Sequence, residues 1–500
     1  MFDVGRNRKT PTRSGRAHRA LGAIGMLLVM VVAIAVPSAH GDVRRQAEPS
    51  GLEKIEHIVI IMQENRTFDH YFGTFPGAEG FPRDANGDID LCIPNPYDEG
   101  KCARPYHDPR ERNIGGPHSY RGHVTSVNGG KMDGFLEAFK DASAPCDPEE
   151  TDINSGAWCG RTKENPMNVL GYKEEQDIPN YWTYAREFVL QDHMFAPSNS
   201  WTLPAHLYMV SGWSAICKNK NPMSCVNEGD RPDAPPSWQK ARYKRLFPDE
   251  EIPDFPEPVY AWTDITYLLH ENDVSWAYYV FAGEEPDCDE VTGPITCKPG
   301  EQDARTSSIW NPLPWFTTVR ENDQLGNIKP MKDFDRALRN DKLPSVSWLI
   351  PNGAVSEHPR SRVSDGQAFV TRAINHIMSS SAWESTAIFV SWDDWGGFHD
   401  HLAPPEVDVN GYGIRVPGFV VSPYAKRGYI DKQILSHDAY LKFIEDVFLD
   451  GQRIDPRTNG RPDRRPLVRE DVPILGDLRH SFDFDQEPRA PMLLEPYPNK

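Results

Sequence analysis

A chain of 500 residues with a formal net charge of −19 is long enough to bury the core of one large α/β domain with insertions, or of two domains. Its acidity speaks against binding nucleic acid or an anionic membrane through the overall field, because both would be repelled. Residues 1–41 carry a net +5, so without them the imbalance deepens to −24.

The N-terminus comes first. Residues 1–20 hold six Lys/Arg against one acid, Leu21 to Val36 is a mostly apolar run without charge, and Ala39-His40-Gly41 offers small residues at cleavage spacing. This succession reads as a secretory signal over 1–41, with an extracytoplasmic mature chain that does not insert stably into the membrane. The apolar run is short for a full span, so the alternative is tethering by an uncleaved anchor.

Ile58-Val-Ile-Ile-Met62 is a continuous apolar run rich in β-branched residues, as a strand covered on both faces of a parallel sheet requires. Gln63-Glu64-Asn65-Arg66 then puts a carboxylate, two amides and a guanidinium where the strand's carboxyl end should lie, the place where open α/β sheets hold ligands. Glu64 and Asn65 are hard oxygen donors suited to a divalent cation; alone, they also read as a solvated loop. Asn65-Arg66-Thr67 fits a glycosylation sequon, which would need the loop exposed.

The stretch from Lys54 to Gly73 resembles the opening motif of the bacterial phosphoesterase family that contains phospholipases C and acid phosphatases. The resemblance implies an α/β fold with an alkaline-phosphatase-like core, in which a mostly parallel central sheet is flanked by helices. It also implies one divalent metal ion, with Glu64 and Asn65 among its ligands. The expected plan is a catalytic domain over 42–450 with insertions near 80–165 and 213–330, and an irregular tail over 451–500.

Eight cysteines, at 92, 102, 146, 159, 217, 225, 288 and 297, fall as close sequential pairs. Beside an export signal they read as disulfides closing local loops, with nearest-neighbour pairing expected and other pairings open. None has CxxC spacing, which argues against zinc-thiolate sites. Asp84, Asn86 and Asp88 have the alternating oxygens of a calcium loop, but Ile89 and Asn95 stand where its Gly and Glu belong. A surface turn competes with a structural calcium site there.

His118, ahead of Asn128-Gly-Gly-Lys-Met-Asp-Gly134, matches a second family block whose histidine faces the phosphate; a structural histidine is the plain alternative. Further on, Pro204 suits a first helical turn that Gly212 ends, placing Thr202 at or beside the N-cap. A hydroxyl there can cap the helix, and it can also serve a phosphate held by the helix N-terminus. The resemblance makes Thr202 the nucleophile and a metal ligand, with Ser198 and Ser200 as alternative hydroxyls. Many relatives have Asn-Arg after this Pro; here Ala205-His206 follows, and His206 would replace the arginine as a substrate contact.

Glu357-His358-Pro359 follows an apolar strand ending at Pro351, and the family's histidine in this block faces the substrate. Thr386 to Trp392 is another apolar strand, and it ends in Asp393-Asp394, a Gly pair and His399-Asp-His401. Adjacent acids repel unless a cation or protons compensate, so a metal accounts for them economically, a helix cap being the other reading. In the family these acids complete the metal site. His401 and His437, the latter at the start of a late amphipathic helix, are further candidates for substrate contact.

Together the blocks imply a secreted, metal-dependent phosphoesterase working through a phosphothreonyl intermediate, with Thr202, His118 and His358 as catalytic groups. The substrate is a small phosphate ester or a phospholipid head group. A core ending near 450 leans towards a compact acid-phosphatase-like monoesterase, while a catalytic core of this type alone suffices for head-group cleavage. The competing class is a non-catalytic secreted binding protein on a phosphatase-like scaffold, whose signature would be loss of the nucleophile or the metal ligands.

Overall fold

The computed structural model describes residues 51–499 apart from 143–164, 287–299 and positions 237, 238, 241, 242, 245, 246 and 248. The signal expected over 1–41 and the pairs Cys146/Cys159 and Cys288/Cys297 lie outside the described residues.

The apolar runs become inner strands of an eight-stranded sheet whose two edge strands, Ile328–Pro330 and Tyr429–Asp431, are short and mixed in polarity. In chain order the eight are β1 (His57–Gln63), β2 (Val189–Gln191), β3 (Trp276–Val280), β4 (Ile328–Pro330), β5 (Val346–Ile350), β6 (Thr386–Trp392), β7 (Gly418–Val421) and β8 (Tyr429–Asp431). Their spatial order is β4-β3-β5-β1-β6-β7-β2-β8. All neighbours pair in parallel except β7, which runs against both β6 and β2. Ile58 to Met62 are buried throughout, and each such side chain contributes about 2 kcal/mol through burial. A run without alternation is what a sheet covered on both faces selects. Helix α1 (Phe135–Ala142) belongs to the first insertion, and among the helices that cover the sheet are α2 (Pro179–Glu187), α3 (Thr202–Ser211), α4 (Val363–Met378) and α5 (His437–Phe448).

Two insertion loops close as their cysteine spacing predicts, through Cys92–Cys102 and Cys217–Cys225. The first belongs to a separate apolar cluster in which Ile93, Phe135, Leu136, Phe139, Val169 and Leu170 pack with Trp395 and Ile414. Trp395 directly follows Asp393-Asp394, so the insertion is anchored to the loop that carries them. Asp84, Asn86 and Asp88 form an exposed turn in which Asp84 Oδ1 accepts from the Asn86 and Asp88 amides at 2.8 and 3.0 Å. Those bonds account for the alternating polar residues as a turn. The sequon is overturned as a surface feature, since Asn65, Arg66 and Thr67 are all buried.

The tail is irregular, as expected, but it is anchored by buried arginines. Arg465 donates to the Ser211 and Thr263 carbonyls at 3.0 Å each, and Arg469 donates to Asp438 Oδ2 at 3.1 Å and Asp408 Oδ1 at 2.9 Å. Glu470, beside Arg469, is fully buried, and neither carboxyl oxygen has a hydrogen-bond partner among the described residues. Burial pushes Glu470 up to about 7, helped by Asp438 and opposed by Arg465 and Arg453. Glu445 of α5 is likewise raised, by burial and then by the Glu470 charge, against Arg453.

A folded-state pKa above the unfolded one means that the fold keeps a proton the unfolded chain gives up. The associated stability is complete below the ordinary Glu range and is lost as pH rises towards 7. Glu470→Gln keeps the neutral shape at every pH. It is expected to recover on the order of 3 kcal/mol over the parent at about pH 8 and nothing at about pH 4. Paired denaturant titrations at the two pH values measure the difference.

Candidate active site

Strands β5, β1 and β6 are adjacent and parallel, so the loops at their carboxyl ends leave one edge of the sheet together. Gln63 lies opposite Trp392 in register, and Asp393 N donates to Gln63 O at 3.0 Å. Glu64-Asn65 and Asp393-Asp394 are therefore brought side by side by strand pairing alone. Asn65 adopts a left-handed backbone (φ 57°), which its short amide tolerates better than a bulkier side chain would. In that conformation its N–H donates to Asp393 Oδ1 at 2.9 Å and its Nδ2 to Asp394 Oδ1 at 3.1 Å.

Helix α3 brings the hydroxyl. The N-cap is Trp201 and Thr202 is the first helical residue, beside the cap as the positions of Pro204 and Gly212 lead one to expect. Thr202 Oγ1 donates to Asp393 Oδ2 at 2.6 Å and reaches Asp394 Oδ2 at 3.2 Å. The alternatives differ: Ser200 Oγ donates to Asp230 Oδ1 at 2.7 Å, and Ser198 Oγ has no partner among the described residues. No side chain caps α3, so its amino end keeps the positive pole that attracts an anion.

His118 reaches the same cluster through two glycines. Gly116 N donates to Gly396 O at 2.8 Å. A Cβ on Gly397 (φ 71°) would lie 2.1 Å from the Gly116 carbonyl carbon, so the loops could not touch with any other residue there. His118 Nδ1–H donates to Gly116 O at 3.0 Å, which leaves Nε2 as the acceptor for Asn65 Nδ2 at 3.1 Å. The same Nε2 stands 3.9 Å from Asp394 Oδ2.

The Glu-His-Pro loop is held from behind by its glutamate. Glu357 is buried with φ 69° and accepts from Tyr71 Oη at 2.6 Å, Trp392 Nε1 at 3.2 Å, Gln63 Nε2 at 3.4 Å and Tyr181 Oη. Burial pushes its carboxyl up to about 6, with the tyrosines and Arg66 pulling it down. Arg66 adds a bond to the Glu357 carbonyl. His358, buried beside it, donates its N–H to Ser356 Oγ at 3.1 Å and its Nδ1–H to Pro359 O at 3.2 Å. Sequence reading selected His358 and passed over Glu357. The glutamate's partners are remote tyrosines on separate helices, which local pattern does not reveal.

The remaining histidines separate. His206 lies one turn beyond Thr202 on the same helix face, with Nε2 3.1 Å from Glu64 Oε1. Ligand atoms from Glu64, His206 and Asp393 all lie within 4.8 Å of one another. His437 Nε2–H donates to Trp392 O at 3.2 Å, and burial pushes its pKa down to about 3. It is thus a neutral buttress under the last residue of β6, while Ser436 caps α5. His401 is gathered elsewhere: its Nδ1 is 2.7 Å from Asp69 Oδ2, in a group with Asp400 and Arg415. It makes none of the contacts that tie the Thr202 cluster together.

Three buried carboxylates, an amide and an imidazole suit a divalent cation. Asn65 Oδ1 is buried with no hydrogen-bond partner among the described residues, and burying acids together is costly unless positive charge compensates. The residues therefore fit a metal. Glu64, Asn65, Asp393, Asp394, His206 and the Thr202 hydroxyl are the side chains in reach.

The profile of the Phosphoesterase family matches residues 55–449. Phospholipase C A of Mycobacterium tuberculosis is 27% identical over 490 residues, spanning 88% of this chain and 80% of that protein. The non-hemolytic phospholipase C of Pseudomonas aeruginosa is 26% identical over 501 residues, spanning 90% of this chain and 59% of that protein. Among solved structures, a Vibrio parahaemolyticus protein described as belonging to the alkaline phosphatase superfamily covers 59% of this chain and 65% of its own. Its identity is 14% and its TM-score 0.31, a likeness too loose to bear on the site. With the match running from β1 through α5 and across the whole cluster, the chain belongs to the Phosphoesterase family and is a hydrolase of phosphoric esters.

Proposed function

We propose that the protein cleaves phosphate diesters of the phospholipid head-group type through a phosphothreonyl intermediate, with one divalent metal ion at the Glu64, Asn65, Asp393 and Asp394 cluster. The observation that carries this reading is the Thr202 hydroxyl, at the uncapped start of α3 and donating to Asp393 Oδ2 at 2.6 Å. Attack of Thr202 Oγ1 on phosphorus forms the Oγ1–P bond and breaks the bond to the leaving alcohol, and Asp393 Oδ2 is placed to take the hydroxyl proton. The amino end of α3 receives the phosphoryl oxygens. An imidazole N–H, from His118 or His358, supplies the leaving oxygen with a proton, a contribution of about 10²- to 10⁴-fold. Water then attacks phosphorus, giving a proton to that imidazole, and the Oγ1–P bond breaks as Asp393 returns the proton to Thr202 Oγ1. A bound divalent cation would lower the hydroxyl pKa and neutralise the carboxylates.

The names of the relatives favour a diester over a monoester. The basic and then apolar N-terminus and the two local disulfides support export to an oxidising compartment. Among the described residues no helix is long and apolar enough to cross a membrane.

The test is hydrolysis of a chromogenic phosphate monoester and of its phosphorylcholine diester, each with and without chelator. Chelator-sensitive diester turnover is expected. Turnover of the monoester alone would replace the substrate class, and turnover untouched by exhaustive chelation would remove the metal.

A further inference from the structure

His206 stands where the family resemblance leads one to expect a side chain that meets substrate, yet its imidazole is turned onto Glu64. It is buried, and its Nε2 lies 3.1 Å from Glu64 Oε1. The ligand atoms of Glu64, His206 and Asp393 fall within 4.8 Å of one another, and the nucleophile is on the same face of the same helix one turn earlier. Two donors that share a cation at about 2.1 Å, at nearly a right angle, are themselves about 3 Å apart. The Glu64–His206 distance thus suits one edge of a coordination polyhedron as well as it suits a hydrogen bond. Unlike a guanidinium, an imidazole keeps a lone pair for a metal while its other nitrogen holds the proton.

We infer that His206 is itself a ligand, so that the site is a mixed nitrogen–oxygen centre selecting a transition-series divalent cation over magnesium or calcium. The inference rests on the metal-dependent reading above and deepens it. Magnesium and calcium prefer all-oxygen shells, whereas imidazole shifts preference towards manganese, iron, cobalt, nickel or zinc. Position 206 also couples cation and nucleophile. The metal would pull on the first turn of α3 through His206, fixing Thr202 Oγ1 against Asp393 without a separate positioning residue.

The experiment is metal replacement in the full-length protein, read by metal analysis and X-ray absorption. Apoprotein is loaded with zinc or manganese and challenged with a large excess of magnesium. The bound ion is expected to resist exchange and to show imidazole scattering. His206→Ala and His206→Asn are then compared by competition with a chromophoric chelator, with circular dichroism as the folding control. Folded variants should bind the ion at least about tenfold more weakly and lose the imidazole signal. An oxygen-only shell in the parent protein, or unchanged affinity in both variants, overturns His206 as a ligand while leaving metal-dependent hydrolysis standing. A parent that binds no divalent ion overturns both, and the parent measurement holds even if the variants fail to fold.

Discussion

Thr202→Ala is expected to lower kcat by at least about 10³-fold while leaving the fold in place. The substitution removes the hydroxyl and the γ-methyl, and neither caps α3, because the N-cap position belongs to Trp201. What the fold loses is one donor to a buried carboxylate, worth about 1 to 3 kcal/mol. Chemistry loses its nucleophile, and neither Ser198 nor Ser200 makes a hydrogen bond to the carboxylate pair. Thr202→Ser should keep a substantial part of the activity, since the oxygen stays on the same helical turn. Steady-state rates on the phosphorylcholine diester, with circular dichroism and acid-quench mass spectrometry of the Thr202 peptide, check all three points. Full activity in the alanine variant would move the nucleophile elsewhere.

Arg415→Met is expected to destabilise the protein by about 3 to 5 kcal/mol, enough to lower soluble yield sharply. Arg415 is wholly buried over the Phe68 ring, with Nε 3.2 Å from both oxygens of Asp400, Nη2 3.1 Å from Asp69 Oδ1 and Nη1 3.7 Å from Asp192 Oδ1. Nη1 also donates to the Glu79 and Asp192 carbonyls. Removing the guanidinium leaves three buried carboxylates with their main counter-charge gone. The sign with pH follows. Burial, with the Asp69 charge, already raises Asp400, and Arg415 holds it down. Without Arg415 the carboxyl rises further, so the variant regains stability as pH falls and the acids protonate. Arg415→Lys keeps a charge but cannot span three acids, and should lie between parent and methionine variant. Urea midpoints at neutral and mildly acidic pH measure the series; equal midpoints for Arg415→Met and the parent would mean the cluster is not held by charge.

Both variants touch residues whose importance is unequally legible in the primary structure. Thr202 announces itself through Pro204 two places on and Gly212 at the end of the helix, and Asp393-Asp394 through adjacent acids after an apolar strand. Arg415 carries no such mark. Its three carboxylates come from positions 69, 192 and 400, and nothing local to Gly413-Ile-Arg415 distinguishes it from a surface arginine. Glu357 is a similar case, since its acceptor role depends on Tyr71 and Tyr181, brought in by separate helices.

The histidines divide along the same line. Sequence blocks that resemble the family's mark His118 and His358. Which histidine reaches which acid was decided by backbone approach, through the Gly116–Gly396 contact, and by helical phase, which turns His206 onto Glu64. His401 sits in an equally polar stretch, yet it pairs with Asp69.

The sequence by itself determined a mostly parallel sheet, the strand ends that carry polar pairs, the two described local cysteine loops and the helix that begins at Thr202. Those features depend on periodicity, burial and backbone conformation within a few residues. Only the tertiary structure decided that Glu64-Asn65 and Asp393-Asp394 are neighbours, that Arg415 compensates three buried acids and that the tail is strapped down by Arg465 and Arg469. Those facts rest on strand order and on pairings of charge across hundreds of residues, and electrostatic energy in a buried site depends on distance in space, which the order of residues along the chain does not contain.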